Sequence, residues 1–226
     1  MSLPTNIAIV DYGLGNLFSV KHACEQVGLR ATVTSSQEEI MDSDAVILPG
    51  VGAFGDAMAA LRRLDLVRPL QDIAVSDTPL IGICLGVQLL MAESFEFGRH
   101  KGLEMIKGTV VRFDHPVEEG RELKVPQVGW NRIKQAHPWS NTLLEGLADG
   151  EFMYFVHSFI VQPEDPNVIL STSRYGQIEF CSSLQYRNIF ACQFHPERSG
   201  PKGLQIYRNL ACLIQERKAS DAKRNV

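Results

Sequence analysis

Cysteine is scarce and irregular here: 5 residues among 226, with no Cys-x-x-Cys pair and no repeated spacing. Such usage speaks against a disulfide framework and a zinc site, and it suits a reducing compartment such as the cytoplasm. No window reaches 18 uninterrupted apolar residues, so no membrane-spanning helix is expected. A basic segment leading into a long apolar stretch is also missing at the N-terminus, so no secretory signal is expected, and Met1-Ser2-Leu3 is compatible with a cloning remnant. The 22 Lys+Arg are interspersed with 26 Asp+Glu for a formal net charge of −4, which leaves nucleic acid no electrostatic footprint. Charge clusters only in the short tail Lys218 to Arg224. With no linker, repeat or low-complexity tract, the chain is expected to form one domain over residues 1–226, with an ordered core from about 6 to 217.

What is present points to an α/β fold. Ile7–Val10 is a strand-length apolar run that ends in Asp11-Tyr12-Gly13-Leu14-Gly15-Asn16. Leu17, Val20, Cys24 and Val27 follow at helical spacing, and Gly28 supplies a stop. Ala31–Thr34, Ala45–Leu48 and Leu80–Ile83 are further strands, with a helix predicted over Phe54 to Leu64. This alternation predicts a mixed, mostly parallel sheet with helices on both faces. From about residue 104 the texture is β-rich: Thr109–Phe113, Phe152–Val161, Val168–Ser173, Ile178–Leu184 and Ile189–Phe194, then a closing helix over Gly203 to Gln215.

The segment Pro79-Leu-Ile-Gly-Ile-Cys84-Leu-Gly-Val-Gln88 carries the chemistry. A strand runs into a cysteine bracketed by Gly82 and Gly86, and the apolar segment Val87 to Met91 follows. A strand that turns sharply into a helix exposes one side chain at its tip, and small neighbours let the backbone turn. A thiol there lies at a helix N-terminus, which favours the thiolate. By itself, a cysteine between glycines equally suits a small core residue. A second element is Phe194-His195-Pro196-Glu197: in extended backbone His195 and Glu197 point the same way, so the carboxylate can orient an imidazole that serves the thiol as base. Leu85, next after the nucleophile, is the natural backbone donor to an oxyanion, and a second donor is expected from Gly50-Val51-Gly52. Gln88, one turn on, could bind the α-amino or carboxylate group of a substrate.

Gly82-Ile-Cys84-Leu-Gly86-Val-Gln88 together with Phe194-His195-Pro196-Glu197 resembles the class I, triad-type glutamine amidotransferases, with no departure at Cys84, His195 or Glu197. The stretches Asp11 to Asn16, Pro49 to Phe54, Val125 to Asn131 and Tyr154 to Ser158 are similar to one branch, the glutaminase subunits of imidazole glycerol phosphate synthase. The resemblance implies hydrolysis of glutamine through a Cys84 thioester, without cofactor or metal. It implies that Val51 is the second oxyanion donor and is aimed well only when a partner is docked, and that Gly52, His157 and Ser158 line the substrate pocket. It implies a (β/α)₈-barrel synthase subunit as partner, forming a heterodimer that receives the ammonia. Asn16, Pro126, Val128, Trp130 and Asn131 are the candidates for that surface, with Trp130 equally suited to the core. Two alternatives stay open: the glutaminase of another amidotransferase, and a stand-alone cysteine γ-glutamyl hydrolase.

Overall fold

The computed structural model describes residues 5–224, so Met1-Ser2-Leu3 lies outside the described residues. Its first half is built from β1 (Asn6–Val10), α1 (Leu17–Gln26), β2 (Arg30–Thr34), α2 (Gln37–Met41), β3 (Ala45–Gly50), α3 (Phe54–Arg63), α4 (Val67–Val75), β4 (Leu80–Cys84) and α5 (Leu85–Leu89). Strands then dominate: β5 (Met91–Ser94), β6 (His100–Lys101), β7 (Ile106–Arg112), β8 (Val117–Glu118), β9 (Arg121–Glu122), β10 (Gln127–Arg132), β11 (Lys134–Gln135) and β12 (Phe152–His157). The chain closes with β13 (Phe159–Pro163), β14 (Ile169–Tyr175), β15 (Ile178–Tyr186), β16 (Ile189–Cys192) and α6 (Gly200–Arg224).

Strands β2, β1, β3, β4 and β16 lie side by side and run parallel, and β15, β13 and β7 extend the same sheet antiparallel. Successive side chains on a strand face opposite ways, which divides the core in two. Ile7, Ile9, Ile47 and Ile83 pack with α1 and α6, whereas Ala8, Val10, Val46 and Leu48 pack under α2 to α5. Both faces of the parallel strands are therefore covered, and those strands read as continuous apolar runs.

Several elements differ from the sequence reading. The segment after Cys84 is a helix only as far as Leu89, and Met91 already opens β5. The carbonyls of Leu89 and Leu90 accept N–H groups from Leu103, Met105 and Ile106 rather than from a further helical turn. The run Phe152–Val161 is two strands broken at Ser158: β12 pairs only with β10 in a separate ribbon, whereas β13 joins the main sheet. Ser158 sits between them with its carbonyl on the Phe113 N–H. Strand β16 stops at Cys192. Helix α6 takes in both the predicted Gly203 to Gln215 and the charged tail, and Lys218 there reaches Asp44 at 2.7 Å. Helices α2 and α4 escaped the sequence reading. Ser36-Gln-Glu-Glu39 at the head of α2 is a capping pattern, and the Ser36 hydroxyl accepts the Glu39 N–H at 3.3 Å.

Candidate active site

Strand β4 ends at Cys84, whose backbone adopts φ 55° and ψ −108°, a left-handed conformation unusual for a residue with a side chain. The neighbouring glycines make that turn possible by leaving room. A Cβ on Gly86 would collide with the Leu48 carbonyl oxygen, and one on Gly82 would lie 3.0 Å from both Ala191 Cβ and Leu90 Cδ1. The strain falls on Cys84 itself, and the glycines absorb the crowding. Helix α5 spans only five residues, so little dipole stands behind the sulfur.

His195 is buried, and its Nδ1 lies 2.8 Å from Glu197 Oε1, a carboxylate buried with it. The two do not alternate along a strand as expected. Pro196–Arg198 is a single 3₁₀ turn with His195 at its head, and that turn brings the carboxylate back onto the ring. The His195 N–H donates to Tyr154 O at 2.9 Å, and the Ser199 hydroxyl donates to His195 O at 2.7 Å, so the backbone is held from two sides. Burial alone would lower the imidazole pKa. The charge and contact of Cys84 and the Glu197 carboxylate outweigh it and raise the value to about 10. The other ring nitrogen, Nε2, is buried and makes no hydrogen bond of strict geometry, as is common in catalytic sites before substrate binds. His195 therefore keeps its proton at neutral pH when Cys84 is anionic.

A buried polar cluster also adjoins the sulfur. Gln88 Nε2 donates to Phe159 O at 3.3 Å and to Gln193 Oε1 at 3.2 Å, and Gln193 Nε2 reaches Cys84 Sγ at 3.7 Å. The Cys84 thiol lies 3.8 Å from Val156 O as a donor. His157 Nδ1 sits 2.9 Å from Phe159 O, and since a carbonyl only accepts, this nitrogen carries the proton. The ring is walled by Phe113, Phe155 and Phe180, and burial pushes its pKa down to about 4. His157 is thus a neutral imidazole that ties down a carbonyl. Ser158 is half-buried beside it.

Pro49 to Gly52 forms the facing turn. Gly50 is opposite Cys84 in the β3–β4 ladder, Val51 is 42% exposed, and Gly52 takes φ 106°. Tyr12 and Glu96 were missed in the sequence reading. The Tyr12 hydroxyl donates to Pro49 O at 2.7 Å and occupies the space a Cβ on Gly50 would need. The Glu96 carboxylate accepts the Phe54 N–H and so clamps the start of α3 just after the turn. Leu85, the first residue of α5, is buried.

The β10–β12 ribbon borders the cleft, because β12 supplies both the Val156 carbonyl and the Tyr154 carbonyl named above. Its outer face exposes apolar side chains: Val128 is 60% and Trp130 56% exposed, the Trp130 ring meets Tyr154 edge-on, and the Arg198 guanidinium lies over the Tyr154 ring. Trp130 is not a core residue. Pro126 is exposed on the approach to this strand and Asn16 half-buried at the head of α1. Asn131 alternates to the opposite face, where its side-chain amide donates to Arg174 O at 2.9 Å. Among the described residues, no group of three or more His, Cys, Asp or Glu side chains could hold a metal ion, and no helix is long and apolar enough to cross a membrane.

A cysteine at a strand–helix elbow with a buried His–Glu pair, on a mostly parallel sheet, defines a class. The family model for glutamine amidotransferase class-I matches residues 8–212, and the chain belongs to that family. Curated relatives narrow this further. The chain is 47% identical over 204 residues to the imidazole glycerol phosphate synthase subunit HisH of Syntrophotalea carbinolica, covering 90% of this chain and 98% of the relative. It is 44% identical to the HisH subunit of Rhodopirellula baltica, covering 91% and 96%. Within the class, the chain is a member of the HisH family. The fold is shared with PurLQS of Thermotoga maritima (TM-score 0.72, 17% identity, 94% of this chain and 100% of that one). It is shared too with a glutamine amidotransferase of the same organism (TM-score 0.60, 15% identity, 100% and 87%).

Proposed function

We propose that the chain hydrolyses glutamine at Cys84 and passes the ammonia to a separate synthase subunit in histidine biosynthesis. The observation that carries this reading is the buried His195–Glu197 pair with Cys84, at the end of β4, as its charged neighbour. The Cys84 thiolate attacks the side-chain carboxamide carbon of glutamine, forming a tetrahedral oxyanion. His195 gives its proton to the departing nitrogen, the C–N bond breaks, and ammonia leaves a γ-glutamyl thioester. Water then attacks the thioester, His195 takes up its proton, the C–S bond breaks, and glutamate departs with the Cys84 thiolate and protonated His195 restored. Glu197 holds the imidazole in the tautomer that this exchange needs.

Leu85 N–H and Val51 N–H are the proposed oxyanion donors, each worth about 10²–10³ in rate. Val51 is aimed only once the partner docks. Gln88 has spent its amide N–H groups on Phe159 and Gln193, so it offers the substrate its oxygen, which suits the α-ammonium group. Gly52, His157 and Ser158 complete the pocket wall. The partner is a (β/α)₈-barrel synthase that turns the ammonia into imidazole glycerol phosphate and an aminoimidazole carboxamide ribotide. It docks on Asn16, Pro126, Val128 and Trp130, with Asn131 bracing the strand from behind. A reducing cytoplasm suits the free thiols, four of the five being buried.

The test is glutamate release with and without a synthase of this type and its nucleotide ligand. Release that rises at least tenfold on docking supports the reading. Full turnover by the isolated chain on γ-glutamyl peptides, indifferent to the synthase, would replace it with a stand-alone hydrolase.

A further inference from the structure

The main-chain carbonyl of Phe159 decides the orientation of two buried glutamine side chains. A carbonyl can only accept, so Gln88 must turn its Nε2 towards it, at 3.3 Å. The same Nε2 reaches Gln193 at 3.2 Å, so Gln193 must present its oxygen there. That leaves Gln193 Nε2, and not Oε1, against the Cys84 sulfur at 3.7 Å. A flip of either amide would set two acceptors or two donors face to face in a site where Gln88 is 5% and Gln193 1% exposed. His157 secures the origin of the chain by donating its own N–H to Phe159 O. Gln193 is itself fixed at the end of β16, where its N–H donates to Ser182 O at 2.9 Å.

We infer that Gln193 is a further catalytic residue, an oriented N–H donor that stabilises the Cys84 thiolate and holds the sulfur in line for attack. The inference rests on the glutaminase reading and deepens it. When Cys84 is neutral, its S–H points at Val156 O. When Cys84 is anionic, that contact is lost and the Gln193 amide takes over. A hydrogen bond to the charged form shifts the equilibrium towards it. The other titratable groups that bear on the sulfur are His195 with Glu197 behind it, Tyr12 and Cys192. Of these only His195 brings positive charge, and the Gln193 amide adds a donor that cannot titrate.

The experiment uses the full chain and its complex with a synthase. Gln193→Met keeps length and volume but removes the donor, and Gln193→Asn keeps the amide but withdraws it from the sulfur. In either variant the pH profile for iodoacetamide labelling of Cys84, read by mass spectrometry, moves up by about one unit, a tenfold loss of thiolate at fixed pH. Glutamine turnover falls about tenfold in kcat with KM nearly unchanged, while synthesis from added ammonia is retained. In the unaltered chain, the Gln193 side-chain amide proton resonance follows the same labelling profile, which needs no variant to fold. A labelling profile and kcat within twofold of the parent, or an amide resonance that ignores the thiol, overturns the inference. Cys84→Ala run alongside separates the two readings. If it abolishes glutaminase activity while Gln193→Met does not alter it, only the role of Gln193 is lost. If it leaves glutaminase activity intact, the glutaminase reading itself has failed.

Discussion

The strands on the two sides of Cys84 are of different kinds. On one side β3 and β4 lie within a parallel sheet covered on both faces, where every residue of either strand is buried. On the other side β12 belongs to a two-stranded ribbon with one face in the core and the other open, carrying Val128, Trp130 and Tyr154. The first region is packed on both faces and specifies where the sulfur stands. The second brings the carbonyls that hold His195 and face the thiol, and its outer side is open. A surface event on the ribbon is thus one peptide away from the reacting atom, whereas the covered strands have no such exposure.

Substitutions can break or sharpen that contrast. The largest effect belongs to the covered side: Gly86→Ala sets a methyl group against the Leu48 carbonyl and is expected to cost about 3 kcal/mol or more in chemical denaturation. Next comes the buried histidine at the end of the ribbon. Its folded pKa, about 4, is below the unfolded value near 6.5, so its contribution is fully present above pH 6.5 and is lost as pH falls towards 4. Over that window the native chain should lose about 3 kcal/mol that His157→Phe does not lose, read as the difference between two stability–pH curves.

Trp130→Ala acts on the open face. Folding stability should stay within about 0.5 kcal/mol, while affinity for the synthase falls by about 2 kcal/mol in titration calorimetry. A stability loss as large as that of Gly86→Ala would mean that Trp130 serves the fold and not the interface. The smallest effect is at Tyr12. Loss of its hydroxyl in Tyr12→Phe leaves Pro49 O short of a donor and should cost about 1 kcal/mol of stability, with a lower kcat if the turn it anchors carries the proposed oxyanion donor.

The same contrast explains what could be read from the sequence. The elbow at Cys84 was legible because its demands are local: a strand, two glycines that make room, a residue at the tip. His195 and Glu197 were legible as a pair, although the backbone that joins them is a 3₁₀ turn and not an extended strand, since Pro196 suits the start of such a turn equally well. The Gln88–Gln193 bond spans 105 residues of sequence and follows from β16 lying beside β4, so no local pattern announces it. The ribbon strand β10 was read only in part: Val128 and Trp130 were singled out as surface candidates, but Trp130 suited the core equally well, and the tertiary structure is what shows this face uncovered. The broken run at Ser158 likewise needs the register of two different sheets. Helix α2 is the exception, since its Ser36–Glu39 cap was present to be read.

The central claim is that glutamine chemistry resides on this chain's Cys84 and synthesis resides on its partner. The most direct measurement compares Cys84→Ala with the parent chain in complex with the synthase, supplying either glutamine or ammonium salt. Product from glutamine should vanish and product from ammonia should continue at the parental rate. Sustained product from glutamine, or loss of both with the complex still assembled, would contradict the account.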